Sequence, residues 1–213
     1  MRNSIFNISK TFLSLLILSG FVFAQEIGIY GSKTWTDHYE IQNPIGTGIK
    51  LSKSFMNENL SVRVNYSHHW SSREYTGRVI SGFMLPENMS EIERIESKSG
   101  NMAYEMGLSF RAIRWRNISL YVGVGFEFAQ FEGEHTGLTT GLIKKLSTTN
   151  KYGYALEVSV HRSNFFLQQV VLFSSLKYHL LHGGMVATDI ENTFSGEFSK
   201  VELSLGLSYK FKD

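Results

Sequence analysis

Val201-Glu202-Leu203-Ser204-Leu205-Gly206-Leu207-Ser208-Tyr209-Lys210-Phe211 alternates apolar and polar residues without a break, and its apolar series ends in two aromatics. Side chains on a strand repeat with a period of two, so this ribbon carries one oily face and one wet face. Leu203, Leu205, Leu207, Tyr209 and Phe211 suit hydrocarbon, whereas Glu202, Ser204, Gly206, Ser208 and Lys210 suit a polar interior. That is the pattern of a strand in a transmembrane barrel. Taken alone, the segment also fits an edge strand of a soluble sandwich.

Three upstream segments repeat the layout of alternating strand, polar turn and alternating strand. In the first, Ile49, Leu51 and Phe55 alternate, Asn57-Glu58-Asn59 turns, and Leu60, Val62, Val64 and Tyr66 return. The second runs Met102, Tyr104, Met106, Leu108, Phe110 and Ala112, turns through Arg114 to Asn117, and returns as Ile118, Leu120, Val122, Val124, Phe126 and Phe128. The third starts at Thr140-Gly141-Leu142, turns through Thr148 to Tyr152 and returns as Tyr154, Leu156, Val158 and Val160. With Glu26 to Lys33 and the closing strand, this predicts an all-β, antiparallel, up-and-down transmembrane barrel of eight strands with both termini on one side. Phe165 to Leu181 is too apolar for an exposed loop. As an extra strand, with a return near Val186 to Phe194, it makes ten. With residues 138–147 as a loop and residues 165–181 as strand seven, eight is restored.

Long connections are expected at Thr34 to Pro44, Ser71 to Gly100, Gln130 to Gly137 and Ser163 to Lys200. Such loops face outward in bacterial barrels and tight turns face the periplasm. Trp70, Tyr66, Tyr104 and Phe128 then form an outer aromatic girdle, and Phe55, Phe110, Trp115, Tyr154, Tyr209 and Phe211 a periplasmic one. Ser90-Glu91-Ile92-Glu93 is a capping-box pattern, predicting a short outer helix over Glu91 to Ser97.

Residues 1–24 read as a cleaved secretory leader: Arg2 and Lys10, an apolar run from Phe12 to Phe23, then Val22-Phe23-Ala24. Residues 25–213 form one barrel domain. Removing the leader takes away two of 21 bases and none of 19 acids, leaving a formally neutral chain. That argues against nucleic-acid binding. Cysteine is absent, which excludes disulfides, thiolate metal sites and Cys nucleophiles. Only Pro44 and Pro86 are proline, as a chain of hydrogen-bonded strands requires.

The wet faces predict an interior lined by Lys50, Arg63, Asn65, Glu105, Arg111, Tyr121, Glu127, Lys145, Glu157, Glu202 and Lys210. Five bases and four acids suit a salt-bridged plug better than a selective pore. Gly107, Gly123, Gly125 and Gly206 leave room for the long side chains. His68 and His69, being adjacent on a strand, point to opposite faces and do not chelate one metal together. No metal or cofactor is expected. Arg73 and Arg78, beside Glu74, are candidates for contact with lipopolysaccharide.

His161-Arg162-Ser163-Asn164, expected at the outer end of a strand, puts an imidazole and a hydroxyl on one face together with Glu157. This resembles the His-x-Ser-Asn motif of the lipid A deacylases, which would make His161 the base and Ser163 the nucleophile of an acyl-ester hydrolase. Ser175 stands where that family carries its glutamate, and the register turns His161 and Ser163 inward rather than toward lipid.

Over residues 26–211 the pattern resembles the small outer-membrane barrel superfamily, the group of the OmpA transmembrane domain and OmpX. The resemblance implies a Gram-negative outer-membrane location among lipids and lipopolysaccharide, and insertion by the barrel-assembly machinery reading the closing strand. Here Lys212 and Asp213 follow its terminal aromatic. The expected function is a non-enzymatic barrel whose loops bind an external ligand or support envelope integrity. The alternatives are the lipid A hydrolase and a narrow, porin-like channel for small solutes.

Overall fold

The computed structural model describes residues 24–36, 44–77, 93–182 and 197–211. Their strands are β1 (Glu26–Thr36), β2 (Ile45–Phe55), β3 (Leu60–Gly77), β4 (Glu93–Trp115), β5 (Ile118–Gly137), β6 (Ile143–Arg162), β7 (Val170–His182) and β8 (Phe198–Lys210). Each pairs antiparallel with the next, and β1 pairs with β8 through Ile29 opposite Leu207, so the sheet closes into a ring of eight. Closure removes the free edges that an open sheet would present. The alternation seen in the sequence becomes an inside-out molecule. Leu205, Met106, Leu156 and Phe110 are at least half exposed on the outer wall, while Arg63, Glu127 and Lys177 are buried within.

The start of β1 and the end of β8 share one end of the barrel with the turn Met56–Asn59, the turn Arg116–Asn117 and the segment Ser163–Gln169. Met56, Asn57 and Glu58 have φ of 50°, 56° and 67°, a left-handed run that disfavours ordinary residues by about 1 kcal/mol each. Arg111 offsets that cost by donating to Glu58 Oε2 at 3.2 Å, the Asn57 carbonyl at 2.9 Å and Asn59 Oδ1 at 2.8 Å.

Several expectations are corrected. The third hairpin does not exist: Ile143–Arg162 is one strand, and β7 fills the place of its partner. Eight strands come instead by the alternative pairing, with residues 138–142 as a turn and Val170–His182, inside the expected 165–181 segment but for His182, as the seventh strand. Gln130 to Gly137 is strand, joined to β6 by a five-residue turn at 138–142 in which Gly141 takes φ 69°. β3 and β4 extend well into the predicted loop Ser71 to Gly100, and Glu93 to Ser97 is strand instead of helix. Their extended ladder, with Ser71 opposite Ser99 and Gly77 opposite Glu93, outweighs the local capping signal. Tyr154 packs on Phe126 at 5.9 Å between ring centroids in mid-strand, away from the short-turn end. Residues 1–23, the remainder of the predicted outer helix at Glu91 and Ile92, Arg78 and the return strand Val186 to Phe194 lie outside the described residues.

Candidate functional site

The interior is the site with the most organised chemistry. In its first tier Arg63, from β3, donates through Nε and Nη2 to Glu105 Oε1 at 3.2 and 3.1 Å. The same Nη2 lies 2.9 Å from Glu157 Oε2 on β6. Lys177 on β7 closes the square, donating to Glu105 Oε2 at 2.6 Å and standing 3.8 Å from Glu157. Two cations thus balance two carboxylates, all at most 5% exposed.

A second tier lies toward the end opposite the short turns. Lys200 donates to Glu127 Oε1 at 2.6 Å, and the other oxygen of Glu127 bonds His179 Nδ1. Glu202 Oε2 lies between two imidazoles, 3.4 Å from His69 Nε2 and 3.8 Å from His179 Nε2. Ser204 donates to Glu202 at 2.7 Å, and His69 reaches Asn101 and Ser32 at 3.3 and 2.9 Å. Buried charges persist only when paired, as these are, although Arg63 Nη1, Glu157 Oε2 and His179 Nε2 are left without a hydrogen bond.

Space for these side chains comes from glycine. A Cβ on Gly123 would stand 2.6 Å from Arg63 Nη1, and one on Gly125 would stand 2.8 Å from Glu105 Oε1. Two cavities beside the tiers, one at Lys50, Arg63 and Glu157 and one at Glu105, Lys177 and His179, measure only about 10 Å³ each. That is about one water molecule apiece. At this depth the barrel is filled.

His161 and Ser163 sit at the short-turn end rather than the outer one, because β6 descends toward that end and Ser163 N–H donates to the Asn117 carbonyl. The His161 ring packs on Tyr121 at 4.6 Å and Phe173 at 5.8 Å, and its Nε2 is 3.5 Å from Lys50 Nζ. Lys50 in turn lies 4.6 Å over the Phe173 ring. Glu157, the expected orienter of the imidazole, is instead engaged by Arg63 and Lys177.

Arg111, Lys210 and Tyr121 are only partly buried, at the mouth beside the short turns, where both bases reach Glu58. Lys145 is outside. β6 carries a register shift against Phe131 and Gly133, so Gly133 faces Leu146 and Glu134 faces Lys145, which flips the parity read from Tyr152 onward. Lys177, Lys200, His69 and His179 belong to the interior network, and the sequence pattern does not reveal them. The two on β7 are hidden because Val171, Phe173 and Leu181 also point inward, breaking the alternation that marks a strand.

No protein-family model matches the chain, and no curated protein does either. Among solved structures it is similar to Neisserial surface protein A, at 11% identity with a TM-score of 0.53, over 87% of this chain and 96% of that one. A major outer membrane protein from Thermus thermophilus matches at 11% identity, TM-score 0.49, over 87% and 98%. The attachment invasion locus protein Ail of Yersinia pestis matches at 17%, TM-score 0.48, over 87% and 95%. The fold is that of the small eight-stranded outer-membrane barrels.

On this barrel's outer wall two grooves meet at His68. One, of about 590 Å³, runs over Gly31, Thr47, Ile49, Tyr66 and Leu205. The other, of about 470 Å³, lies toward the end away from the short turns, beside Trp70, Lys98, Gly100, Glu132, Glu134 and Lys145. His68 and His69 do face opposite ways: His69 is buried in the network, and His68 packs on Trp70 at 5.7 Å.

Proposed function

We propose that this chain is an integral outer-membrane barrel, exported by a cleaved leader, that works through its outward surfaces and carries out no catalysis. The observation that carries the proposal is the inversion of polarity. Leu203, Leu205, Leu207, Val122, Val124, Leu156 and Val158 are exposed on the wall, while Arg63, Glu105, Glu157 and Lys177 are neutralised inside. A wall of that kind is stable only against hydrocarbon. A tightly filled interior supports a closed barrel over an aqueous channel, which needs a continuous wet path.

β4, β5 and β6 have 23, 20 and 20 residues, against the roughly 9–11 that cross a bilayer. They carry strand structure well beyond the membrane into the external space, on one side of the barrel, and we assign ligand contact or support of the envelope to that projection. The leader and the assembly machinery that would read β8 belong to the same reading. Fractionation tests it. The protein is expected in the outer-membrane fraction, with a compact gel band that shifts on heating, and with no steady conductance in a planar bilayer. A soluble, heat-insensitive protein would refute the membrane assignment. Stable conductance would refute the closed barrel, and a lipid A acyl pattern altered by the wild type and not by Ser163→Ala would refute the absence of catalysis.

A further inference from the structure

The short-turn end of the barrel is lopsided in charge. Among the described residues Lys53, Arg111, Arg114, Arg116, Arg162 and Lys210 gather there against only Glu26 and Glu58. Both acids are already engaged, Glu58 by Arg111 and Lys210 and Glu26 by Ser208 at 2.6 Å. Arg114, Arg116 and Arg162 are exposed, and no carboxylate among the described residues pairs with any of the three. The ladder brings them to one corner. Arg114 stands opposite Ser119, Trp115 opposite Ile118, and Ile118 opposite Arg162, while Arg116 sits in the turn from β4 to β5. Ser163 N–H donates to the Asn117 carbonyl at 2.8 Å, which ties the end of β6 to that turn. The surface around the three is apolar, since Ile113, Trp115, Phe166 and Leu167 are each more than half exposed. Arg116 lies 5.5 Å over the Trp115 ring and Arg162 lies 5.7 Å over the Phe165 ring. The outer end has no such surplus: Arg94 pairs with Glu74, Lys98 pairs with Glu96, and Lys145 stands opposite Glu134.

We propose that this corner binds the phosphodiester of an anionic phospholipid in the periplasmic leaflet, with phosphatidylglycerol as its simplest form. A guanidinium stacked on a ring keeps its donor edge free, and its planar fork matches phosphate oxygens two at a time. The unmatched charge decides the head. Phosphatidylethanolamine carries an ammonium that the three arginines repel and that meets no free carboxylate among the described residues of this end. Trp115 and Phe166 lie beside the arginines, where rings suit the boundary between head and chain.

The inference rests on the membrane reading above, and the test separates the two. The full barrel is reconstituted in nanodiscs containing equal amounts of phosphatidylglycerol and phosphatidylethanolamine with matched chains, then released for native mass spectrometry. Wild type is expected to retain phosphatidylglycerol over phosphatidylethanolamine by roughly tenfold, the scale of one charge-assisted phosphate contact. Arg114→Gln, Arg116→Gln and Arg162→Gln together should bring the ratio close to unity, and Arg162→Gln alone should lower it by about twofold, its share of the whole. Arg94→Gln, at the outer end, should leave it unchanged. All four proteins are checked for the heat-shifted gel band. Equal retention by a wild-type protein with that band overturns the lipid site alone, as does an unchanged ratio in the arginine variants or an equal loss in Arg94→Gln. A wild-type protein without the band overturns the membrane reading and the lipid site together.

Discussion

Replacing Arg63 with methionine removes the central cation of the interior and keeps most of its length. Arg63 neutralises Glu105 at 3.1 Å and Glu157 at 2.9 Å. After the change Lys177 alone faces both carboxylates, at 2.6 Å and 3.8 Å, so two negative charges meet one positive. Water offers little relief, because the adjoining cavities hold about 10 Å³ each. Breaking a buried pair by deleting one partner costs about 3–5 kcal/mol. With an m-value of about 2 kcal/mol/M, the urea midpoint in lipid vesicles should fall by about 2 M.

The decisive measurement is the double variant Arg63→Met with Glu157→Gln. It leaves Lys177 against Glu105 alone, a balanced pair, and should recover about 2 kcal/mol relative to the sum of the single losses. A loss below about 1 kcal/mol for Arg63→Met would mean that the interior admits water or relaxes. Strict additivity would mean that Arg63 and Glu157 do not share a network. Either result refutes the plug as drawn.

Gly123→Val would drive a side chain into Arg63 Nη1 and the Leu108 carbonyl, at 2.6 and 2.7 Å from the first added carbon; an overpacking loss of about 1–3 kcal/mol should appear in the same urea midpoint. Met106→Arg, on a mid-wall residue 50% exposed, should cost about 2–4 kcal/mol in vesicles, whereas Leu138→Arg at the outer turn should cost close to nothing; equal costs would show that the wall is not facing lipid. Lys210→Ala removes a pair with Glu58 in which both side chains are more than a third exposed, and should lower stability by under about 1 kcal/mol, far less than Arg63→Met.

Legibility in the sequence follows the strictness of the period. Where every inward position is polar or glycine and every outward one apolar, as in Val201 to Phe211, face and pairing are readable directly, and parity alone places Glu202. β7 defeats that reading because its inward series is Val171, Phe173, Ser175, Lys177, His179, Leu181, apolar at both ends. The segment is readable as a strand over residues 165–181, but its inward face is not, so Lys177 and His179 go unassigned although they complete both tiers. Lys145 is misplaced for a different reason: parity holds only as long as the ladder does, and a register shift inside β6 reverses it. His69 reads as a rim residue if β3 ends there, whereas the strand runs on to Gly77. Contacts between distant strands, such as Arg63 with Glu157, depend on reach across the ring and cannot be read from any one strand.

The two tiers also explain why the interior has this composition. Eight strands enclose a space narrow enough to be spanned by side chains, so whatever points inward must fill it. Arg, Lys and Glu reach across, and opposite each long side chain the wall must thin, which is what Gly107, Gly123 and Gly125 do for Arg63 and Glu105. Once charges are enclosed without water they must balance locally, tier by tier. Those requirements commit the carboxylates at this depth to the barrel itself, since Glu105, Glu127, Glu157 and Glu202 each answer to a cation or an imidazole. On the proposed function, recognition then falls to the surfaces the ring presents outward, the long strands β3 to β6 among them.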